Sequence, residues 1–228
     1  MWGYATGFSG KVSFEELKKH LSFREDRPEG IVNHLDFYYK PFARTWGFSM
    51  PYDLYKTLTS GMYDIELLIS STKGEMKVLE YTHKGKSTDT IVLNAHNCHA
   101  AQLNDGPAGF TVFMEALKRL RGQKTKFTYK LVIAPEHLGT VFYLSTLSVR
   151  EIKKLKAGIF MEMVGHSEPQ FALQESFTGT SYMDRVARHI LRFKSRGFWS
   201  APFRKIVGND ETVWEAAGIE VPFISLIF

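Results

Sequence analysis

Hydrophobic and polar positions follow two different periods along this chain. From about residue 86 onward, short apolar runs alternate with segments whose apolar side chains recur every three or four residues. The first pattern is typical of buried strands and the second of amphipathic helices. The pattern predicts strands at 89–95, 127–134, 157–163 and 220–227, and helices at 107–121, 138–146, 149–155, 181–194 and 210–217.

The repeated strand and helix units indicate the fold class. Over residues 86–228 they predict an α/β domain with a mainly parallel mixed sheet and helices on both of its faces. Residues 1–85 lack this alternation and predict a small, aromatic-rich α+β region, with strands near 63–70 and 75–82.

The first region carries one clear helix signal, the capping box Ser13-Phe14-Glu15-Glu16, and apolar spacing extends that helix through Leu21. A second, short helix is expected after Pro51, ending at Gly61. Two aromatic clusters indicate either a binding surface or, more commonly, packing beneath long loops: Tyr38-Tyr39-Lys40-Pro41 and Trp46-Gly47-Phe48.

Composition excludes several classes of protein. No apolar run approaches the ~20 residues that span a bilayer, and the N-terminus does not resemble a secretory signal, so a cytoplasmic protein without a membrane partner is expected. The net charge of +5 is mildly basic, but the Lys and Arg residues are interspersed with acids, which argues against nucleic acid as a partner. The single cysteine, Cys98, excludes a cysteine-rich zinc module, so a metal would need His and carboxylate ligands.

Polar side chains stand at the carboxyl ends of several predicted strands. Parallel strands bring these ends to one rim, where open α/β sheets bind ligands, so we expect the side chains to converge. They are His96, His99 and Asp105 after the first strand, Glu136 after the second, Glu162 in the third, and Asp210 and Glu211 in the turn before the last short helix.

His together with several Asp and Glu is a ligand set suited to one or two zinc ions, or to another divalent metal, and a carboxylate can bridge two ions. Such a site makes water nucleophilic at neutral pH, and a nearby Glu can serve as general base.

Each candidate also has a structural alternative. Asp105 could simply cap its helix, and Glu136 could be a solvated loop residue, whereas Asp210 is expected to cap a helix whether or not it has a role in the site. Glu162 could point outward from its strand, although an ionised carboxylate buried in that apolar run would be costly unless paired or metal-bound. His137 and His166 are more simply explained as local hydrogen-bonding residues.

Five segments, in order along the chain, resemble the metal-site motifs of the co-catalytic zinc aminopeptidases. The family motifs are a His-x-Asp strand end, a bridging Asp at a helix start, a Glu-Glu pair, a Leu-Asp-Met strand and a Ser-Asp-His turn. The matching segments are His96-Asn97-Cys98, Asn104-Asp105-Gly106-Pro107-Ala108-Gly109, Pro135-Glu136, Met161-Glu162-Met163-Val164-Gly165 and Gly208-Asn209-Asp210-Glu211. The resemblance implies a zinc exopeptidase-like fold with Asp105 as the bridging ligand.

The chain is also similar to an uncharacterised aminopeptidase-like domain branch associated with polysaccharide biosynthesis. The likeness covers nearly the whole chain and implies a zinc aminopeptidase or amidohydrolase that acts on a small peptide or amide. It rests on Cys98-His99, Asn104-Asp105, Pro135-Glu136, Leu138-Gly139 and Asp210-Glu211, and on an inserted region similar to Val12-Ser13-Phe14-Glu15-Glu16-Leu17, Tyr38-Tyr39 and Trp46-Gly47-Phe48.

Departures from these patterns change the expected roles. In the aminopeptidase-like branch a Pro follows the ligand His, and in this chain Ala100 replaces that Pro. His99 is the first choice of metal ligand and His96 the second. Pro135 stands where the general-base Glu would be, so Glu136 is either ligand or base. Glu162 replaces an Asp.

The sequence begins inside the inserted region and ends at Phe228, before the segment that carries the family's last His. We therefore expect either a piece of a longer protein or an incomplete site, in which His137 or His166 would substitute. Because the Glu-Glu pair is absent, the alternative function is a catalytically inactive domain that binds a peptide, an amino acid or a sugar intermediate.

Overall fold

The computed structural model describes residues 1–34, 45–99, 102–167, 170–195 and 197–227. The chain divides into two units between Gly74 and Glu75. The aromatic cluster Tyr38-Tyr39-Lys40-Pro41, Ala100 and Phe228 lie outside the described residues.

The first unit contains short strands and helices: β1 (Phe8–Ser13), α1 (Phe14–Lys18), β2 (Leu21–Ser22), β3 (Phe48–Ser49), α2 (Tyr52–Tyr55) and β4 (Met62–Leu67). β1 pairs with β4 antiparallel, and β2 pairs with β3 parallel. Ser13 Oγ accepts a hydrogen bond from the Glu16 amide, as the capping signal predicts. The helix nevertheless ends at Lys18 because Leu21 pairs with Phe48 in the β2–β3 ladder.

The tryptophan of the second aromatic cluster lies in the core of this unit. Trp46 is 7% exposed, and its ring stacks on His20 and Phe8 with centroids 3.7 and 4.4 Å apart. Packing is therefore the role of Trp46. The helix predicted after Pro51 is shorter than expected and ends at Tyr55.

The second unit contains a seven-stranded sheet and five helices among the described residues. Its elements are β5 (Leu79–His83), β6 (Thr90–His96), α3 (Gly106–Leu120), β7 (Thr128–Ala134), α4 (Leu138–Ser145), α5 (Val149–Ile152), β8 (Leu155–Met161), β9 (Phe171–Gln174), α6 (Tyr182–Lys194), β10 (Phe198–Ala201), α7 (Glu211–Trp214) and β11 (Phe223–Ile227). The predicted mixed α/β class is thus confirmed.

The order of strands across this sheet is β10-β9-β11-β8-β6-β7-β5. Pairing is parallel for β6 with β7 and β8, for β8 with β11, and for β9 with β10. It is antiparallel for β5 with β7 and for β9 with β11. The division of the chain falls earlier than the predicted boundary after residue 85, because β5 pairs with β7 and so belongs to this sheet.

β6 lies inside the sheet, between β8 and β7, and all seven of its residues are buried, which explains its nearly continuous apolar sequence. Its carboxyl end meets those of β7 and β8 at one rim. Here the first turn of α3 packs closely on the sheet: a Cβ added to Gly109 would overlap the carbonyl oxygen of Met161, at the end of β8. Among the described residues, no helix is both long and apolar enough to cross a membrane.

Candidate metal centre

The imidazole of His96 stands at the centre of a cluster of carboxylates. His96 is the last residue of β6 and is 1% exposed. Its Nε2 lies 2.7 Å from Asp105 Oδ1 and 3.4 Å from Glu162 Oε2. Donor atoms of these three residues lie within 4.8 Å of one another, so they could hold one metal ion together.

Asp105 contacts both histidines of its loop. Its Oδ1 contacts His96, and its other oxygen, Oδ2, lies 3.1 Å from His99 Nε2. Asp105 directly precedes α3, but its side chain makes no capping hydrogen bond. The helix-cap alternative is therefore wrong, and the carboxylate is turned to the two imidazoles instead.

Glu162 follows the last residue of β8 and is only 3% exposed, so the outward orientation considered for it is wrong. Asn209 Nδ2 donates a hydrogen bond of 2.8 Å to its Oε2. Burial and the negative charge of Asp105 raise the pKa of Glu162 to about 8, against the lowering effect of the Asn209 hydrogen bond. This carboxylate thus needs a compensating positive charge to be ionised at neutral pH.

Glu136 lies on the other side of the His96 ring. It follows β7 by two residues, and its Oε2 is 3.7 Å from His96 Nδ1 and 3.9 Å from Cys98 Sγ. The Nδ1 atom is buried and makes no hydrogen bond with the described residues. Oε2 of Glu136 therefore faces the His96 ring and the Cys98 thiol, and Glu136 is not simply a solvated loop residue.

Asp210 and Glu211 form hydrogen bonds that hold the segments next to the cluster in place. Asp210 Oδ1 accepts a 2.7 Å hydrogen bond from the His137 amide, and its side chain makes no capping bond to α7, which corrects its expected role. Burial raises the pKa of Asp210 to about 7. Glu211 Oε1 accepts from Gln174 Nε2 and from the Asn209 amide, and so holds the turn that presents Asn209 to Glu162.

His137 lies among these residues, where its Nε2 is 3.1 Å from the carbonyl oxygen of Gly208. This contact fits the hydrogen-bonding role considered for His137. His166 is exposed, on the loop after β8.

The donor set fits a divalent cation. Imidazole nitrogen and carboxylate oxygen are ligands that zinc takes in proteins. Several carboxylates meet around one buried ring, and desolvation with mutual repulsion raises the pKa of Glu162. The buried Nδ1 of His96, on the Glu136 side of the ring, makes no hydrogen bond with the described residues. A cation would relieve the repulsion and satisfy these groups.

The raised pKa of Glu162 predicts a pH dependence of stability for the metal-free chain. Between about pH 4.5 and 8 the folded state holds a proton on Glu162 that the unfolded state releases, so stability falls as pH rises through this range. Each unit of pKa difference corresponds to about 1.4 kcal/mol. Melting temperatures measured in chelator across this range should fall less steeply for Glu162→Gln than for the unsubstituted chain.

The exposed Glu220 supplies the control, because Glu220→Gln should keep the original slope. Equal slopes for Glu162→Gln and the unsubstituted chain would show that Glu162 does not hold the proton.

A comparison with known protein families shows the family to which this chain belongs. The family model described as "Domain of unknown function (DUF4910)" matches residues 22–227. The chain belongs to the DUF4910 family. The match includes every residue of the cluster around His96, so the candidate centre lies within the DUF4910 domain.

The name of a curated relative of this DUF4910 chain mentions an aminopeptidase-like domain. A protein of Clostridium acetobutylicum, provisionally named a polysaccharide biosynthesis protein with an aminopeptidase-like domain, is 26% identical over 224 residues, or 98% of this chain and 50% of the relative. The chain therefore spans about half the length of the curated relative it matches.

Solved structures show the same fold. A crystal structure of a provisionally assigned peptidase from Clostridium acetobutylicum has a TM-score of 0.85 and 24% identity, covering 99% of this chain and 52% of that one. A zinc aminopeptidase from Bacillus subtilis has a TM-score of 0.67 and 14% identity, covering 91% and 53%. The DUF4910 domain thus has an aminopeptidase-like fold.

Two residues of the centre are missing from the set predicted from sequence. Asn209 donates to Glu162, and its place in the Gly208-Asn209-Asp210-Glu211 turn was the available signal. Gln102 is buried and its Oε1 accepts from the amides of Cys98 and His99, which shapes the loop that carries both. No sequence pattern marks Gln102, because its role depends on the folded loop.

Proposed function

We propose that this domain is a metal-dependent hydrolase, an aminopeptidase or amidohydrolase-type zinc exopeptidase that cleaves a peptide or amide bond. The observation that carries the proposal is the group His96, Asp105 and Glu162, whose donor atoms meet at the rim of the sheet. The aminopeptidase-like fold supports it, since the similar zinc aminopeptidase from Bacillus subtilis has the same fold.

The contacts at the rim support one set of metal-holding residues. His96 Nε2, Asp105 Oδ1 and Glu162 Oε2 would hold one ion, and the second oxygen of Asp105 faces His99 as a further ligand. When bound, zinc supplies Lewis-acid polarisation of water and of an amide carbonyl. Other divalent metals suit the same donors less well, because imidazole favours zinc over magnesium or calcium.

Glu136 is the general base of this proposal, or else a ligand of a second ion. Its carboxylate, about one third exposed, is open to a substrate and faces the cluster. As base it would take a proton from the attacking water and deliver it to the nitrogen of the leaving amine, so that the amide bond breaks without releasing an amide anion. Asn209 would hold Glu162 in place through its hydrogen bond.

An apolar recess beside the cluster supports a peptide-like substrate. It has a volume of about 330 Å³ and is lined by Leu103, Pro107 and Val164 among others. Leu103 and Pro107 flank Asp105 in the chain, and Val164 follows Glu162 closely. A nonpolar side chain of a substrate would fit this recess while its scissile bond lies at the cluster.

The direct test is hydrolysis of aminoacyl anilides by chain stripped of metal and then supplied with zinc, cobalt or manganese. We expect turnover with zinc or cobalt and none in chelator, with nonpolar aminoacyl groups preferred. Absence of turnover with every metal and every aminoacyl group would contradict the enzymatic function.

A second candidate function has one observation in its favour. Pro135 stands where the resemblance to zinc aminopeptidases places the general-base Glu. A domain without that base could bind a peptide, an amino acid or a sugar intermediate without cleaving it. Metal binding and ligand binding without turnover would support this alternative.

A further inference from the structure

The two nitrogens of the His96 ring face different sets of donor atoms. Nε2 faces Asp105 and Glu162, as described above. Nδ1 faces a second group, in which donor atoms of His96, Cys98 and Glu136 lie within 4.8 Å of one another. We propose that Cys98, Glu136 and Nδ1 of His96 form a second ion position that binds a thiophilic divalent cation through the cysteine sulfur. This proposal rests on the metal centre of the proposed function and assigns the second ion's ligands.

The buried ring nitrogen is the first argument. His96 is almost fully buried, and its Nδ1 makes no hydrogen bond with any described residue. The nearest acidic oxygen, Glu136 Oε2, is 3.7 Å away and so beyond hydrogen-bond range. A buried polar atom without a partner is costly, and an ion between these atoms would satisfy it.

Distances in the group match the spacing of metal ligands. Zinc lies about 2.3 Å from sulfur and about 2.0–2.2 Å from nitrogen or oxygen. Neighbouring ligands of a tetrahedral ion therefore lie roughly 3.3–3.6 Å apart. The separations of 3.7 Å from Nδ1 to Glu136 and 3.9 Å from Glu136 to the sulfur need adjustments of only a few tenths of an ångström.

Folding of the loop holds the thiol beside Glu136. The Asn97 amide continues the β6–β7 ladder by donating to the Ala134 carbonyl at 2.9 Å. The Cys98 amide then donates to Gln102 Oε1, a buried side chain that also binds Asn97 through its Nε2. Cys98 itself is exposed, so a cation can reach the sulfur from solvent.

Sulfur determines which ions the position takes. A thiolate with imidazole and one carboxylate suits zinc or cobalt, whereas magnesium, calcium and manganese prefer oxygen ligands. On binding, the thiol proton and the remaining N–H proton of the His96 ring leave to solvent, so that the sulfur becomes a thiolate ligand and the ring an imidazolate that bridges the two ions. Glu136 would ligate through Oε2, which leaves its other oxygen available for proton transfer.

Cobalt supplies a spectroscopic test, because a thiolate bound to cobalt(II) gives a charge-transfer band in the near ultraviolet that nitrogen and oxygen ligands do not give. The 228-residue chain contains one cysteine, so such a band can only come from Cys98. Metal-stripped chain in a phosphine reductant is titrated with cobalt(II), and bound cobalt is measured separately by elemental analysis.

We expect the band in the unsubstituted chain, its loss in Cys98→Ser, and a weaker band in Glu136→Gln. The cobalt affinity of this position should fall at least about tenfold in Cys98→Ser. Loss of a group that only supports a metal ligand already lowers metal affinity by about 10-fold or more. The exposed substitution Glu220→Gln should leave the spectrum unchanged.

Cobalt that binds to the unsubstituted chain without a thiolate band would overturn this inference and leave the proposed function intact. No bound cobalt at all would overturn both.

Discussion

Asp105→Asn is expected to abolish metal-dependent turnover and to weaken zinc binding by more than about 100-fold, above the 10–100-fold that loss of an outer-shell partner costs. The carboxylate contacts both His96 and His99, one through each oxygen. Asn keeps the size of the side chain but loses the charge and one acceptor oxygen. Calorimetric titration with zinc and the anilide assay measure the two effects.

The exposed Asp64 provides a matched control for this substitution. Asp64→Asn removes the same charge from strand β4 and should leave zinc affinity and turnover unchanged. If Asp105→Asn binds zinc as tightly as the unsubstituted chain, Asp105 is not a ligand, and the arrangement proposed around it is incorrect.

Gly109→Ala is expected to lower the stability of the second unit by about 1–3 kcal/mol, the usual cost of overpacking. A Cβ at this position would overlap the carbonyl oxygen of Met161, and backbone atoms cannot move aside as a flexible side chain can. The melting temperature should fall by about 2–12 °C for a domain of this size. Because α3 follows Asp105 and β8 precedes Glu162, zinc affinity should fall as well.

Gly74→Ala is the control, because a Cβ added there meets no atom within 4 Å. It should melt within about 0.5 kcal/mol of the unsubstituted chain, as surface substitutions usually do. Equal melting of Gly109→Ala and Gly74→Ala would contradict the close packing of α3 on β8.

Long apolar runs made the centre of the sheet predictable. β6, β7 and β8 are continuous enough in sequence to be recognised as buried strands, and their shared rim explains why His96, Glu136 and Glu162 meet. The mixed α/β class followed from their alternation with helices. The sequence signals were strongest where burial on both faces demanded apolar residues.

Short elements were not predictable in the same way. β9 and β10 have four residues each, and they form by pairing with distant strands rather than by any local pattern. The same is true of β2, whose pairing with β3 ends α1 earlier than its helical spacing implied.

The orientation of polar side chains also depends on tertiary contacts. Sequence placed Asp105 and Asp210 at helix starts, where capping was a reasonable expectation, but neither side chain caps its helix. Asp105 is drawn instead to two imidazoles, and Asp210 to the backbone of His137. Such choices depend on which groups the fold brings within reach, and a one-dimensional pattern does not contain that information.

Titration of the metal-stripped chain with zinc tests the central claim most directly, with binding measured by calorimetry and stability by thermal melting. We predict one or two zinc ions per chain and a rise in stability that reaches about 2.7 kcal/mol when one site is exposed to zinc at 100 times its Kd. No heat of binding together with an unchanged melting temperature in excess zinc would contradict the claim that His96, Asp105 and Glu162 form a metal centre.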